Sequence, residues 1–141
     1  MRVKYYLKLF STKTFKEKPF ITLFRSISVL FLDIFKIKKK FNIKHENINF
    51  NFLYLPGFIK KSGGRGLYIY REKIEDLMEF GHQFIKNDNH CIDGGANQGI
   101  FSLSFASVVG SKGKILAVEP FDYCINILKY NALENKFYNI F

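Results

Sequence analysis

The stretch from residue 89 to residue 120 constrains the fold of this chain more than any other segment. A short strand at residues 89–92 leads into the turn Asp-Gly-Gly-Ala-Asn-Gln-Gly at residues 93–99. The pattern then predicts a helix from about Ile100 to Val109 and a buried strand at residues 114–119. A strand, a helix and a second strand in this order predict one unit of a doubly wound, parallel α/β sheet.

The carboxyl ends of the two strands are where such a unit binds a ligand. Residues 93–99 and Glu119 lie at those ends. Glycines allow a sharp turn and a close approach of the backbone to a ligand, and the amino terminus of the following helix attracts a negative group. Glu119 can accept hydrogen bonds from two ribose hydroxyls. These features fit a nucleoside cofactor.

The choice of cofactor depends mainly on the acid before the glycines. Gly94-x-Ala96-x-x-Gly99 is a degraded dinucleotide fingerprint, and a carboxylate follows 20 residues after Gly99, as in a dinucleotide fold. Asp93, however, would repel a pyrophosphate. S-adenosylmethionine has no phosphate and carries two cationic groups, which an acid attracts. The residues therefore favour S-adenosylmethionine, and a fragment of an NAD-binding oxidoreductase is the alternative.

Residues 91–102 resemble the first motif of class I methyltransferases, specifically of the FkbM type. Residues 117–120 resemble the acidic post-motif of that family, and residues 126–135 resemble its following helix. The resemblance covers about residues 65–141. It implies a Rossmann-like fold, S-adenosylmethionine as cofactor, and methyl transfer, usually to an oxygen of a sugar, glycan or lipid-linked precursor.

The resemblance also implies where the cofactor binds. Four turn residues correspond to the part that holds methionine, and Glu119 corresponds to the ribose acid. Gly94 stands where the family often has an apolar residue. No catalytic residue is assigned, and no metal site is expected. The cofactor-binding set comprises Asp93, Gly94, Gly95, Ala96, Asn97, Gly99 and Glu119, of which Asp93, Gly95, Asn97 and Gly99 face the methionine part.

The length available for the sheet is short for this family. Residues 89–141 reach only the start of a third strand, at residues 137–141. The sequence therefore predicts about three of the seven strands of a class I methyltransferase sheet, with an exposed apolar edge and face. We accordingly expect a truncated gene product that keeps its cofactor-site residues but is inactive alone.

Charge is distributed unevenly along the chain. The net charge is +10, from 22 Lys and Arg against 12 Asp and Glu. Residues 1–61 contain 14 basic and 3 acidic side chains, whereas residues 62–141 contain 8 basic and 9 acidic ones. This asymmetry predicts a basic amino-terminal arm, residues 1–64, ahead of a partial methyltransferase domain, residues 65–141. Codon bias towards lysine accounts for part of the charge.

Nucleic acid is not expected as a partner, because the arm has no recognition helix or RNA-binding motif.

The arm contains apolar residues at helical spacing, followed by the basic run at residues 36–40. The favoured interpretation is an amphipathic helix that packs this apolar stripe on the following domain. The alternative is a non-enzymatic module that contacts an anionic membrane through residues 1–40. A spanning helix is poorly supported, because Arg25 and Asp33 interrupt the segment. The stripe comprises Phe20, Leu23, Phe24, Ile27, Phe31, Ile34 and Phe35.

The remaining segments give weaker predictions. Alternation predicts one strand at residues 47–52 and another at residues 67–70 after a glycine loop at residues 63–66, and a helix is predicted over residues 72–85.

Isolated polar residues are interpreted structurally. His82 has no second potential metal ligand at a suitable spacing, and Arg65 is interpreted as a surface charge. Cys91 and Cys124 do not form a CxxC pair and are expected to be reduced.

We expect a cytoplasmic protein, which would be peripheral at the inner membrane face if the arm binds lipid.

Overall fold

A computed structural model describes residues 13–56, 64–71 and 81–141 of the chain. Residues 81–84 are also helical. The amino-terminal elements are α1 (Lys13–Glu17), α2 (Pro19–Ile34), β1 (Lys39–His45), β2 (Ile48–Tyr54) and α3 (Gly64–Tyr70). The carboxyl-terminal elements are β3 (His90–Gly94), α4 (Ile100–Val109), β4 (Lys114–Val118) and α5 (Asp122–Glu134).

The carboxyl-terminal strands form the predicted parallel unit. β3 and β4 pair in parallel, with His90 opposite Lys114 and Gly94 opposite Val118, and α4 connects them. After α5 the chain returns beside β4, where the amide of Phe141 donates to the carbonyl of Ile115 at 2.9 Å. This third strand is limited to one parallel bridge between Ile115 and Ile140. The predicted α/β class with a partial, Rossmann-like parallel sheet is therefore confirmed.

The amino-terminal strands form a separate antiparallel hairpin. β1 and β2 pair from Lys39 opposite Tyr54 to His45 opposite Ile48. Alternate residues of β2 are buried, among them Phe50 and Phe52, as the polar–apolar alternation of residues 47–52 predicts. The partner strand β1 was not predicted, because its first residues are lysines that read as the end of a helix.

The predicted strand at residues 67–70 is wrong, because these residues belong to the helix α3. The predicted glycine loop is likewise replaced by the first turn of α3 at residues 64–66, and residue 63 lies outside the described residues. Leu67, Tyr68 and Ile69 are all buried. A short apolar run buried on several sides has no distinguishing period, so its residues alone do not separate strand from helix.

The helix predicted over residues 72–85 falls largely outside the described residues, which resume at residue 81. Residues 81–84 are helical, as expected. Ile85 packs against the core, whereas Phe84 is 65% exposed.

Two apolar cores lie on opposite sides of α4. The larger lies between the hairpin and the helices and includes Phe50, Phe52, Leu103 and Ala132. The smaller lies between α4 and the parallel strands, with Ile115 fully buried in it. The hairpin, the α4 layer and the parallel strands therefore stack in three layers. The larger core contains residues from both sides of residue 64, which is the predicted boundary between the basic arm and the nearly neutral remainder of the chain.

Helix α2 exposes its apolar stripe, so the favoured interpretation of this helix is wrong. Phe20 is 86% exposed, and Phe24 and Ile34 are each 72% exposed. The opposite face is the buried one, with Thr22, Ser26, Val29 and Leu32.

Polar side chains on the buried face of α2 find partners within the protein. The hydroxyl of Ser26 donates to the carbonyl of Thr22 at 2.7 Å. Asp33 forms an ion pair with Arg65 of α3 and accepts a hydrogen bond from the hydroxyl of Tyr54 at 2.5 Å. Burial, together with this bond to Asp33, raises the pKa of Tyr54. These long-range contacts fix which face of α2 turns inward, and they engage Arg65 in a structural pair.

No helix among the described residues combines the length and the apolar character that a bilayer span requires.

Candidate functional site

The predicted turn and Glu119 meet at the carboxyl ends of β3 and β4. The amides of Gly95 and Ala96 both donate to the carbonyl of Val118, at 2.8 and 3.0 Å. Val118 is the last residue of β4, and it is followed directly by Glu119. The fold therefore brings together the two segments that the sequence places at one site.

Glu119 joins the turn to the segment that leads into α5. Its Oε2 accepts a hydrogen bond from the amide of Asn97 at 2.8 Å, and its Oε1 accepts one from the amide of Phe121 at 3.0 Å. The residue is half-buried. A carboxylate has about four lone-pair sites, so these two bonds leave acceptor capacity for hydroxyl groups of a ligand.

Asn97 shapes the turn with both its backbone and its side chain. Its φ of 51° lies in the left-handed region, which asparagine tolerates better than most residues. Its Oδ1 accepts from the amide of Gln98 at 2.8 Å and lies 3.7 Å from the thiol of Cys124. Burial, and then the charge of Glu119, raise the pKa of the Cys124 thiol, which keeps it protonated as a donor.

The backbone amides of residues 95–99 are all bonded within the protein. Besides the two bonds to Val118, the amide of Asn97 reaches Glu119, that of Gln98 reaches the Asn97 side chain, and that of Gly99 reaches the carbonyl of Ala96 at 2.8 Å. A phosphate-binding turn points several such amides at the ligand. This turn does not, so it lacks the amide cradle that a pyrophosphate uses.

Asp93 lies beneath the turn and is only 9% exposed. Its Oδ2 accepts a hydrogen bond from the hydroxyl of Ser102 at 2.6 Å, and Ser102 is fully buried. This bond ties the end of β3 to the first turn of α4. Ser102 received no role from the sequence. The available signal was a hydroxyl residue three positions after the last glycine, on the helix turn that faces the acid.

The glycines of the turn have different surroundings. A Cβ built on Gly94 or Gly95 meets no atom within 4 Å, so the surface above both is open. Gly95 and Gly99 have φ of 81° and 88°. A Cβ on Gly99 would lie 2.7 Å from Cγ of Leu128 in α5. Gly99 is therefore required by backbone geometry and helix packing, and the room for a ligand lies over Gly94 and Gly95.

A shallow depression of about 470 Å³ lies elsewhere on the parallel strands. His90 and Lys114, which begin β3 and β4, line it together with apolar residues of the open sheet face. That face is exposed as expected, with Ile92 at 74% and Leu116 at 49%. The depression is therefore at the amino ends of the strands, away from the turn.

His82 and the two cysteines belong to no group of three or more potential metal ligands within the part of the chain that the structure describes. Nε2 of His82 is 2.7 Å from the hydroxyl of Ser104, and its ring packs edge-on against Phe105. Burial, and then the nearby His45, lower the pKa of His82. Cys91 and Cys124 are both free thiols.

A glycine turn and an acid at the carboxyl edge of a parallel strand–helix–strand unit define the ligand-binding end of a Rossmann-like α/β protein. No family model matches this chain, and no curated protein matches it in sequence.

Solved structures of other proteins match part of this chain. The chain is similar to an S-adenosylmethionine-dependent O-methyltransferase from Thermotoga maritima over 66% of its own length and 36% of that protein, with 19% identity and a TM-score of 0.46. A second such structure is an S-adenosylmethionine-dependent methyltransferase from Aquifex aeolicus, with 18% identity, coverage of 48% and 36%, and a TM-score of 0.42. A third is a protein-L-isoaspartate O-methyltransferase, with 23% identity, coverage of 45% and 21%, and a TM-score of 0.42. The chain thus spans between 21% and 36% of the length of these three proteins.

Proposed function

We propose that this chain carries the S-adenosylmethionine-binding part of a methyltransferase of the FkbM type. The observation that carries the choice of cofactor is the carboxyl edge of the parallel strands, where Asp93 and Glu119 flank a turn whose amides are already bonded. The FkbM type is proposed from the sequence resemblance alone. Two acids and no free amide cradle suit a cationic ligand. The same features disfavour the dinucleotide alternative, since a pyrophosphate needs donors and is repelled by carboxylates.

In this proposal, three parts of the site each bind a different part of the cofactor. Glu119 accepts from the ribose hydroxyls, for which it has spare lone pairs. The open surface over Gly94 and Gly95 receives the methionine part, and the amino terminus of α4 favours its carboxylate. When bound, S-adenosylmethionine supplies a methyl group activated by a sulfonium. The protein contributes the orientation of that group towards its acceptor.

We further propose that the acceptor is a hydroxyl of a sugar, glycan or lipid-linked precursor. This finer proposal depends on the resemblance of residues 91–102 and 117–120 to the FkbM type. No general base is assigned among the described residues.

Direct binding to the full chain tests the cofactor. In isothermal titration, S-adenosylmethionine should bind more tightly than NAD. Glu119→Gln should weaken binding of S-adenosylmethionine by roughly 10- to 100-fold, the range for losing hydrogen bonds to a charged group. Glu134→Gln is the matched control, because Glu134 is an exposed carboxylate paired with Lys40 on another part of the molecule.

The two binding constants separate the alternatives. Tighter binding of NAD than of S-adenosylmethionine would contradict the proposal, as would equal affinities for Glu119→Gln and Glu134→Gln. Circular dichroism of both variants shows whether the fold is retained, since the amides of Asn97 and Phe121 also depend on Glu119.

A further inference from the structure

The outward face of α2 is an apolar surface, and the polar residues Thr22 and Ser26 lie on the opposite, buried face of the helix. Four residues of this face, Phe20, Phe24, Phe31 and Ile34, are between 53% and 86% exposed. They lie at spacings of three, four and seven residues, so they form one stripe along the helix. A helix in this orientation lacks the polar outer face that a water-exposed helix normally has.

The two charged residues of α2 do not interrupt this stripe. Arg25 donates to the carbonyl of Ile69 at 3.3 Å, and Asp33 pairs with Arg65. Both bonds turn the side chains towards α3 and away from the apolar face. The two charges that argue from the sequence against a membrane-spanning helix therefore leave the apolar face uninterrupted.

Basic residues border the stripe at its carboxyl-terminal end. Lys36, Lys38 and Lys39 are all exposed, immediately after α2 and at the start of β1. Over residues 1–40 the sequence contains 11 basic residues against two acidic ones, Glu17 and Asp33. An exposed aromatic face next to clustered lysines matches the two requirements of a helix that lies in a membrane interface, apolar contact and attraction to anionic headgroups.

We propose that the outward face of α2, with Lys36, Lys38 and Lys39, docks this protein on an anionic lipid bilayer. The helix has 16 residues and is about 24 Å long, which is shorter than the roughly 30 Å hydrocarbon core. It therefore lies in the plane of the interface. A second copy of the chain is a poorer occupant, because two such basic arms repel each other.

Vesicle sedimentation with the full chain tests the docking surface. The protein should bind vesicles of phosphatidylcholine with phosphatidylglycerol more strongly than vesicles of phosphatidylcholine alone, and added salt should weaken the binding. The triple change Phe20→Ser, Phe24→Ser and Phe31→Ser should lower the partition coefficient by about tenfold or more. The matched control changes three exposed apolar residues elsewhere: Phe121→Ser, Leu133→Ser and Tyr138→Ser.

A second set of variants isolates the electrostatic part. Changing Lys36, Lys38 and Lys39 to alanine should weaken binding to the anionic vesicles by roughly fivefold for each lysine. It should leave the weak binding to phosphatidylcholine unchanged. Circular dichroism confirms that each variant is folded, which is expected because all the changed side chains are exposed.

A single introduced tryptophan reports which face enters the lipid, because the chain has no tryptophan of its own. The emission of Phe24→Trp should shift to the blue on adding anionic vesicles, whereas that of Phe121→Trp should not. The two positions have similar exposure, 72% and 69%.

Three results would overturn the proposal. One is no binding to anionic vesicles, and another is equal binding by the triple phenylalanine variant and its control. The third is a dimer in sedimentation equilibrium that the triple phenylalanine change abolishes while vesicle binding persists, which would assign the face to a second copy.

Discussion

The glycine turn and helix α2 satisfy their polar groups in different ways. In the turn, residues 95–99 bond to acceptors that lie near the carboxyl ends of β3 and β4. In α2, the polar residues Thr22 and Ser26 face the protein interior and the phenylalanines face outward. The turn is thus closed on itself around an open patch over Gly94 and Gly95, whereas α2 leaves a whole apolar face exposed.

The conformation of the turn is determined by residues close together in space at the strand ends, whereas the orientation of α2 is determined by residues far apart in the sequence. The turn depends on backbone conformations that glycine and asparagine supply, together with the short reach between adjacent strand ends. The orientation of α2 depends on Asp33, whose partners Arg65 and Tyr54 lie 32 and 21 residues away in the sequence. Substitutions in the two regions should therefore fail for different reasons.

The largest expected effect is at the end of the turn. Gly99→Ala combines a left-handed φ with a Cβ 2.7 Å from Leu128, so the free energy of unfolding should fall by about 3 kcal/mol or more. Gly95→Ala has the strained φ but open space and should cost about 1 kcal/mol. Gly94→Ala, with neither, should change stability by less than about 0.5 kcal/mol. Urea denaturation measures all three, and equal losses would contradict this assignment of roles.

The next effect tests which face of α2 is inside. Leu32 is 8% exposed, so Leu32→Ala should lower the free energy of unfolding by about 2 kcal/mol. Phe24→Ala removes a larger side chain but from an exposed position, and it should change stability by less than about 0.5 kcal/mol. The same denaturation experiment applies. A greater loss for Phe24→Ala than for Leu32→Ala would show that the apolar stripe packs inward after all.

A smaller effect compares two hydroxyl groups, one from each region. Ser102→Ala removes the partner of the buried Asp93 and should cost about 1–2 kcal/mol. Ser28→Ala in α2 removes a hydroxyl that bonds the carbonyl of Phe24 in an exposed position, and it should cost less than about 0.5 kcal/mol. Thermal unfolding followed by circular dichroism distinguishes them. If Ser28→Ala destabilised the protein as much as Ser102→Ala, the bond between Ser102 and Asp93 would contribute no more to stability than an exposed hydroxyl bond.

The smallest effect is a dependence on pH. Burial lowers the pKa of His82 in the folded protein below its ordinary value of 6.5. As the pH falls below 6.5, the unfolded chain therefore takes up a proton before the folded protein does, and stability decreases. His82→Gln should flatten this decrease when midpoints of urea unfolding are compared between acid and neutral pH. A decrease of the same size in the variant would assign it to groups other than His82.

The sequence determined the parallel unit and the position of its site. The helix from Ile100 to Val109, the two short strands and the meeting of residues 93–99 with Glu119 all follow from local patterns. These features depend on residues close in sequence or on strand ends that a parallel sheet necessarily brings together. Ser102 could not be assigned, because its role depends on the angle at which α4 leaves the turn.

Only the tertiary structure decided how the amino-terminal elements pack. Residues 67–70 form a helix because Leu67, Tyr68 and Ile69 are buried against the hairpin and α2 together, which no short pattern encodes. The face of α2 that turns inward is likewise held by contacts with distant residues, namely the pairing of Asp33 with Arg65 and the burial of Val29 and Leu32 in the larger core. Amphipathic spacing establishes that a helix has two faces. Which face turns inward depends on the partners that distant segments bring to it. Here those partners are Arg65 and Tyr54 for Asp33, and the larger apolar core for Val29 and Leu32.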